Sequence, residues 1–122
     1  MTITGPDFIA LQVRDVEAAA TFYESRLGLR RTPTGPPGAV VFDTSPIAFA
    51  VRTALPGVEL AEASPHPGTG VALWFACDDA QVLHDDLAAG GVPIVAPPMD
   101  GAFGRMFTFR DPDGYAVTIH SA

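Results

Sequence analysis

The sequence predicts an α+β fold in which two β-α-β-β-β modules form cupped eight-stranded sheets. Two observations predict this fold. The chain repeats a pattern in which an apolar segment ends in aspartate and a helical pattern follows, once at Asp15 and once at Asp79. Each half then continues as a strand, a turn and a strand, at residues 40–52 and 107–120.

The repeat also predicts the domain organisation. At 122 residues, the chain is expected to form one domain that spans residues 1–122. Module 1 is expected at about residues 6–53 and module 2 at about residues 70–122. The segment between them, about residues 54–69, is rich in proline and glycine, and we interpret it as a linker or lid.

Both predicted helices carry a start signal and a stop signal. Asp15 and Asp79 are suited to cap the helix N-termini, and Gly28 and the pair Gly90-Gly91 are suited to end the helices. The apolar stripes are Val16, Ala19, Ala20, Tyr23 and Leu27 in the first helix and Ala80, Leu83 and Leu87 in the second. One further short strand is expected after each helix, at residues 29–32 and 92–95.

The last predicted strand assigns its side chains to two faces. Asp111–Gly114 has the residue order of a type I turn, and an alternating segment follows it. On a strand, Val117 and Ile119 share one face, which suits the core. Thr118 and His120 share the opposite face.

One helix covers only one face of a four-stranded sheet, so the other face is expected to border a cavity. Phe8 and Trp74 are predicted to lie on that open face, and the repeat aligns Arg52 with His120. The aromatic rings either plug the cup or bind a ligand, and two such rings favour a ligand. The candidate ligand-binding residues are Phe8, Phe42, Arg52, Trp74, Thr118 and His120.

Composition and charge exclude several classes of function. The net charge of −7 argues against nucleic-acid binding, because phosphates attract lysine and arginine. The chain has no apolar run of transmembrane length and no basic, apolar leader, so we expect neither a membrane span nor a signal peptide. The single cysteine, Cys77, excludes an internal disulfide and suits a reducing, cytoplasmic location.

The order and spacing of several motifs resemble the vicinal oxygen chelate superfamily, which includes glyoxalase I, extradiol dioxygenases and bleomycin-resistance proteins. The resemblance covers nearly the whole chain. The segments that carry it are Leu11–Asp15, Phe22-Tyr23, Leu27–Leu29, Gly90–Val92, Gly104-Arg105 and Phe109–Gly114.

The resemblance also indicates where a metal would bind in related enzymes. Metal-dependent members usually have a histidine at the start of the first strand of each half and a glutamate near the end of the last strand. The matching positions here are Phe8, Ala72 and Thr118. These side chains offer no set of nitrogen, oxygen or sulfur donors that could hold a divalent ion, so we expect neither a metal nor another cofactor.

The resemblance and the lost ligand positions together predict the function. We expect a metal-free protein that sequesters an apolar or aromatic compound, and the drug-binding branch of the family suggests an antibiotic. One alternative is a lyase, isomerase or dioxygenase of the same superfamily, either cofactor-free with His120 as a base or with relocated metal ligands. Another is a regulatory or interaction domain whose cup is filled by side chains. Because isolated modules leave sheet edges open, a homodimer is also expected.

Overall fold

A computed structural model describes residues 1–122 and confirms the α+β class. The chain divides into two compact units, unit 1 (Met1–Leu60) and unit 2 (Ala61–Ala122), which are described separately. Unit 1 contains β1 (Phe8–Val13), α1 (Val16–Leu27), β2 (Ala39–Phe42) and β3 (Ala48–Thr53). Unit 2 contains β4 (Leu73–Ala76), α2 (Ala80–Ala89), β5 (Ile94–Gly101), β6 (Gly104–Arg110) and β7 (Ala116–Ser121). A single 3-10 turn, Leu60–Glu62, lies in the predicted linker.

The sheet of unit 1 has the strand order β1-β3-β2. Strand β1 runs parallel to β3, and β2 runs antiparallel to it. Helix α1 begins where the sequence predicts, because the Asp15 carboxylate accepts a hydrogen bond from the backbone N–H of Ala18 at 3.0 Å. The helix ends at Gly28, also as predicted.

The core of unit 1 is aromatic. Tyr23 of α1 contacts Phe49 of β3 with ring centroids 5.0 Å apart, and Phe42 of β2 stacks on Phe49 at 5.8 Å. All three rings are buried. They lie beside the small residues Ala19 and Ala20 of the same helix, which are also buried and leave room for large neighbours.

The strand predicted at residues 29–32 does not form. Only one isolated antiparallel bridge, between Arg31 and Phe42, occurs there. The guanidinium of Arg31 is held by Glu17 and Glu24 of α1, with N–O distances of 2.6 and 2.8 Å. Pro33, Pro36 and Pro37 follow directly, and residues without a backbone N–H cannot extend a ladder.

The sheet of unit 2 has the strand order β4-β7-β6-β5, with β4 parallel to β7 and the remaining pairs antiparallel. Helix α2 is capped by Asp79, whose carboxylate accepts from the backbone N–H of Val82 at 3.1 Å. The helix covers one face of this sheet. The fully buried side chains between them are Leu87 of α2 and Phe107, Phe109, Val117 and Ile119 of the sheet.

Strand β5 is longer than the sequence predicts and begins later than residue 92. It continues to Gly101 through Pro97 and Pro98. Two features explain why prolines are tolerated here. Strand β5 is at the edge of the sheet, and its pairing with β6 shifts register twice between Ile94 and Met99.

The predicted turn before β7 is confirmed. The backbone N–H of Gly114 donates to the carbonyl oxygen of Asp111 at 3.0 Å. The buried Asp111 carboxylate also accepts from the backbone N–H groups of Asp113 and Tyr115 at 2.9 and 3.0 Å. This turn therefore sets where β7 begins and which of its side chains face away from α2.

Candidate functional site

The face of the unit 2 sheet that α2 does not cover is the candidate site, and we call it the open face. Pairing places Trp74 of β4 beside Thr118 of β7, and Thr118 beside Thr108 of β6. Paired residues on neighbouring strands point to the same face, so these three side chains share one side of the sheet. Thr118 and His120 lie on that side because Val117 and Ile119, which alternate with them, are buried under α2.

An aromatic cluster occupies one end of the open face. The ring centroid of Trp74 lies 5.7 Å from that of His120 and 5.8 Å from that of Phe103, and both pairs meet edge to face. Phe103 and His120 complete the triangle at 6.5 Å. Trp74, Phe103 and His120 are called the aromatic cluster below.

The aromatic cluster presents apolar surface to solvent. Trp74 is 42% exposed and Phe103 is 64% exposed. The largest fully buried side chains of this unit, Phe107 and Phe109, instead lie on the α2 side of the sheet. Exposed rings grouped with a few polar groups are typical of a ligand-binding surface.

A backbone contact holds the His120 ring in place. Its Nδ1 lies 3.1 Å from the carbonyl oxygen of Phe103. Phe103 belongs to the turn between β5 and β6, so this hydrogen bond connects the hairpin to the end of β7. This hydrogen bond favours one orientation of the His120 ring.

Two hydroxyl groups provide the central polar feature of the open face. The Oγ1 atoms of Thr108 and Thr118 lie 2.8 Å apart. One hydroxyl donates to the other, which leaves one O–H to donate elsewhere and lone pairs to accept. The pair can therefore bind either a donor or an acceptor on a ligand.

Unit 1 presents a different open face. Phe8 at the start of β1 is 50% exposed and pairs with Ala48, whereas Arg52 of β3 pairs with Gln12. The Arg52 Nε–H donates to the carbonyl oxygen of Thr53 at 2.9 Å. Ala50, which the repeat matches to Thr118, is buried and brings only a methyl group.

Phe42 does not belong to a ligand site. It pairs with Phe49, packs on Tyr23 across 6.2 Å and has no exposed surface. Its side chain lies on the helix side of the sheet, because Phe49 lies there. The sequence-based assignment of Phe42 to the ligand-binding set is therefore wrong, and Phe42 is a core residue.

Sequence analysis missed Phe103. It lies in a turn, where neither helical nor strand periodicity assigns a direction to a side chain. The only sequence signal for it is the glycine pair, Gly101 and Gly104, which flanks the turn.

The residues at the family's metal-binding positions do not fit a metal. Phe8 offers a benzyl group, Ala72 a methyl group, and Thr118 a hydroxyl that is already hydrogen-bonded to Thr108. No group of three or more His, Cys, Asp or Glu side chains is arranged to hold an ion. The donor set therefore gives no basis for a metal-dependent step.

Other titratable groups of unit 2 have structural surroundings. Burial raises the pKa of the Cys77 thiol, which lowers the fraction of reactive thiolate. His84 is less exposed than the sequence suggests, because its ring packs edge-on against Phe107 at 5.3 Å. Its Nδ1 lies 2.9 Å from Asp85, and this hydrogen bond lowers the pKa of the Asp85 carboxyl.

Comparison with known proteins gives a family match over almost the whole chain. The family model of the Glyoxalase/Bleomycin resistance protein/Dioxygenase superfamily matches residues 5–119. The anthracycline biosynthesis protein DnrV of Streptomyces peucetius is 31% identical over 125 residues, which cover 93% of this chain and 46% of DnrV. The chain thus spans about half the length of this curated relative.

Two solved structures show the same fold. The antibiotic binding protein TnmS3 from Streptomyces sp. CB03234 is 21% identical with a TM-score of 0.75, and the match covers 99% of this chain and 98% of TnmS3. The fosfomycin resistance protein FosX from Mesorhizobium loti is 24% identical with a TM-score of 0.70, over 99% of this chain and 94% of FosX. Neither helix of the present structure is long and apolar enough to cross a membrane.

Proposed function

The chain belongs to the glyoxalase/bleomycin resistance protein/dioxygenase superfamily, and we propose that it is a metal-free protein that binds and sequesters an apolar or aromatic small molecule. The ligand would bind on the open face of unit 2 and contact Trp74, Thr118 and His120. Phe103 joins these residues in the proposal because its ring touches Trp74.

One observation carries this proposal. The aromatic cluster exposes two large rings that a core would otherwise bury, since Trp74 and Phe103 are 42% and 64% exposed. Covering such rings with a planar ligand removes apolar surface from water and adds stacking worth about 0.5–1.5 kcal/mol per aromatic pair. The Thr108–Thr118 hydroxyls and His120 then supply the few polar groups that orient a ligand.

The named relatives support an antibiotic, or a precursor of one, as the ligand. DnrV is named for anthracycline biosynthesis, and TnmS3 is described as an antibiotic binding protein. A planar aromatic compound suits the aromatic cluster physically, because its rings can stack on Trp74 and Phe103. The names of these two relatives and the surface chemistry therefore support the same class of ligand.

Phe8 and Arg52 stay in the proposal as a separate set of candidate ligand contacts on the open face of unit 1. Phe8 offers an exposed ring, and Arg52 offers the only guanidinium among the candidate residues. Their contribution is tested by Phe8→Ala and Arg52→Ala, each measured against wild type with the same ligand. Unchanged affinity in both variants would remove the unit 1 residues from the site.

The proposal also includes a homodimer in the cytoplasm. Strands β1 and β2 are edges of the unit 1 sheet, and β4 and β5 are edges of the unit 2 sheet, so backbone groups are available for pairing with a second copy. The unpaired thiol of Cys77 suits a reducing compartment. Light scattering at micromolar concentration should give twice the 12.8 kDa chain mass, and a mass of one chain would contradict the dimer.

Binding without turnover is the property that tests the proposed function. A panel of planar aromatic compounds that includes an anthracycline is titrated against the protein, and the emission of Trp74, the only tryptophan, reports binding. We expect at least one compound to bind and to be recovered chemically unchanged.

Elemental analysis of protein purified without chelator should find far less than one equivalent of Zn, Fe, Mn or Ni per chain. A stoichiometric metal would contradict the metal-free reading.

A second candidate function is catalysis by His120 as a general base. The contact between its Nδ1 and the Phe103 carbonyl favours this alternative, because a base must be held in a defined orientation. The two functions differ in a measurable way. Chemical conversion of a bound compound that His120→Ala abolishes would establish the enzyme and reject pure sequestration.

A further inference from the structure

The hydrogen bond between His120 and the hairpin determines which nitrogen of the His120 ring carries the proton. The contact joins Nδ1 to the backbone carbonyl oxygen of Phe103 at 3.1 Å. A carbonyl oxygen only accepts hydrogen bonds, so Nδ1 must be the donor. In the neutral ring, the lone pair then lies on Nε2.

The protein itself does not use this acceptor. The hydrogen bond of the His120 side chain is made by Nδ1, and its ring contacts are with Trp74 and Phe103. Met106 of β6, which pairs with His120 on the same face, brings only a thioether. A ligand that stacks on those rings would also remove water from Nε2. Removing water from a hydrogen-bond acceptor without providing a new donor costs free energy. The aromatic cluster therefore favours ligands that provide a hydrogen-bond donor.

The backbone of the hairpin turn keeps this arrangement in place. Gly104 has a φ of 93°, and a Cβ atom at this position would overlap the carbonyl oxygen of Ser121, the last residue of β7. Only glycine therefore allows the turn to lie this close to the end of β7. The close approach is what brings the Phe103 carbonyl within reach of His120, one residue before Ser121.

We infer that the ligand of the aromatic cluster is a hydroxylated planar aromatic compound, whose ring stacks on Trp74 and Phe103 and whose hydroxyl donates to Nε2 of His120. This inference rests on the proposed function and names the ligand class for the same site. An ether is disfavoured, because its oxygen would meet the Nε2 lone pair with lone pairs of its own. The Thr108–Thr118 hydroxyl pair can bind either a donor or an acceptor, so it does not discriminate between these classes of ligand.

The test compares two matched ligands, 2-naphthol and 2-methoxynaphthalene, on three proteins. The ligands share a ring system, but only the naphthol has a donor. The proteins are wild type, His120→Asn and His120→Gln. Asparagine can donate to the Phe103 carbonyl from the position of Nδ1, but it leaves no acceptor at the position of Nε2. Glutamine can place its amide oxygen near the position of Nε2. The single indole N–H signal of Trp74 reports each titration by NMR.

The measured quantity is the ratio of the two dissociation constants in each protein. Comparing this ratio between a variant and wild type cancels the difference in hydrophobicity between the ligands. His120→Asn should reduce the preference for 2-naphthol by about three- to tenfold relative to wild type, which is the range expected for one hydrogen bond. His120→Gln should retain part of the preference. Val82→Ala, an exposed change on α2, should leave the ratio unchanged.

Two outcomes would overturn the inference, and they are distinguishable. If both ligands bind wild type and Trp74→Ala weakens both, but His120→Asn and His120→Gln keep the wild-type ratio, the hydroxyl is not recognised while aromatic binding stands. If neither ligand binds wild type, this inference falls. The proposed function fails separately only if the wider panel of planar aromatics also shows no binding.

Discussion

Units 1 and 2 follow the same order of a strand, a capped helix and further strands, and both bury aromatic rings on the helix side, but only unit 2 also groups aromatic rings on its open face. In unit 1, Tyr23, Phe42 and Phe49 pack together on the helix side and are buried. In unit 2, Trp74 and Phe103 contact each other on the face that the helix does not cover, and both are exposed.

The difference shows that the fold constrains only one face of each sheet. The helix side must be apolar in both units, and the aspartate caps Asp15 and Asp79 are kept in both. The open face can vary. At matched positions, unit 1 has the methyl group of Ala50 where unit 2 has the hydroxyl of Thr118. Ligand chemistry is therefore expected on the open face of unit 2.

Truncation of a core ring should produce the largest effect on stability. We expect Phe42→Ala to lower the free energy of unfolding by about 3–5 kcal/mol, because it removes a fully buried ring and leaves a cavity. Phe103→Ala deletes the same atoms from an exposed position and should cost less than about 1 kcal/mol. Denaturant unfolding of the two variants measures the comparison. Equal losses would mean that Phe103 is a structural residue and not a ligand contact.

The β5–β6 turn gives the next largest effect. Gly104→Ala and Gly91→Ala both place a side chain on a backbone with positive φ, at 93° and 81°. Because this conformation is unfavourable for a residue with a Cβ atom, each change should lower the free energy of unfolding by about 1–2 kcal/mol. Of the two added Cβ atoms, only the one at position 104 meets another group, the Ser121 carbonyl. Gly104→Ala should therefore lower the free energy of unfolding by about 1–3 kcal/mol more than Gly91→Ala does. Thermal unfolding of both variants, measured in parallel, compares their stabilities. Indistinguishable stabilities would show that the turn can move away from β7, which would weaken the argument for a fixed His120.

The hydroxyl pair gives a smaller effect. Thr118→Val keeps the shape of the side chain but removes the hydrogen bond to Thr108, and we expect a loss of about 1 kcal/mol in stability. Thr108→Val should lose a similar amount, and the double variant should lose less than the sum, because the two hydroxyls act as one unit. Fully additive losses would show that the hydroxyls are not coupled in solution.

Local sequence signals predicted most of the fold. The caps at Asp15 and Asp79, the turn at Asp111–Gly114 and the alternation that separates Val117 from Thr118 all depend on neighbouring residues. Such signals are readable from one sequence because they involve short-range hydrogen bonds and periodicity. They correctly predicted that Thr118 and His120 point away from the helix.

The errors concern information that the local sequence does not contain. Phe42 faces the core because β2 pairs with β3 in a register that puts it beside Phe49, and register depends on the partner strand. The extent of β5 was missed because Pro97 and Pro98 argue against a strand, whereas an irregular edge strand accepts them. Phe103 was missed for the same reason, because its position depends on where the β5–β6 hairpin turns.

The central claim is that the open face of unit 2 binds a planar aromatic ligand through Trp74. The most direct test is the dissociation constant of one such ligand, measured by calorimetry on wild type, Trp74→Ala, Phe8→Ala and the control Val82→Ala. We predict that Trp74→Ala weakens binding at least tenfold, which corresponds to about 1.4 kcal/mol. Phe8→Ala should weaken binding less, and Val82→Ala should have no effect. Full affinity in a correctly folded Trp74→Ala variant would contradict the account.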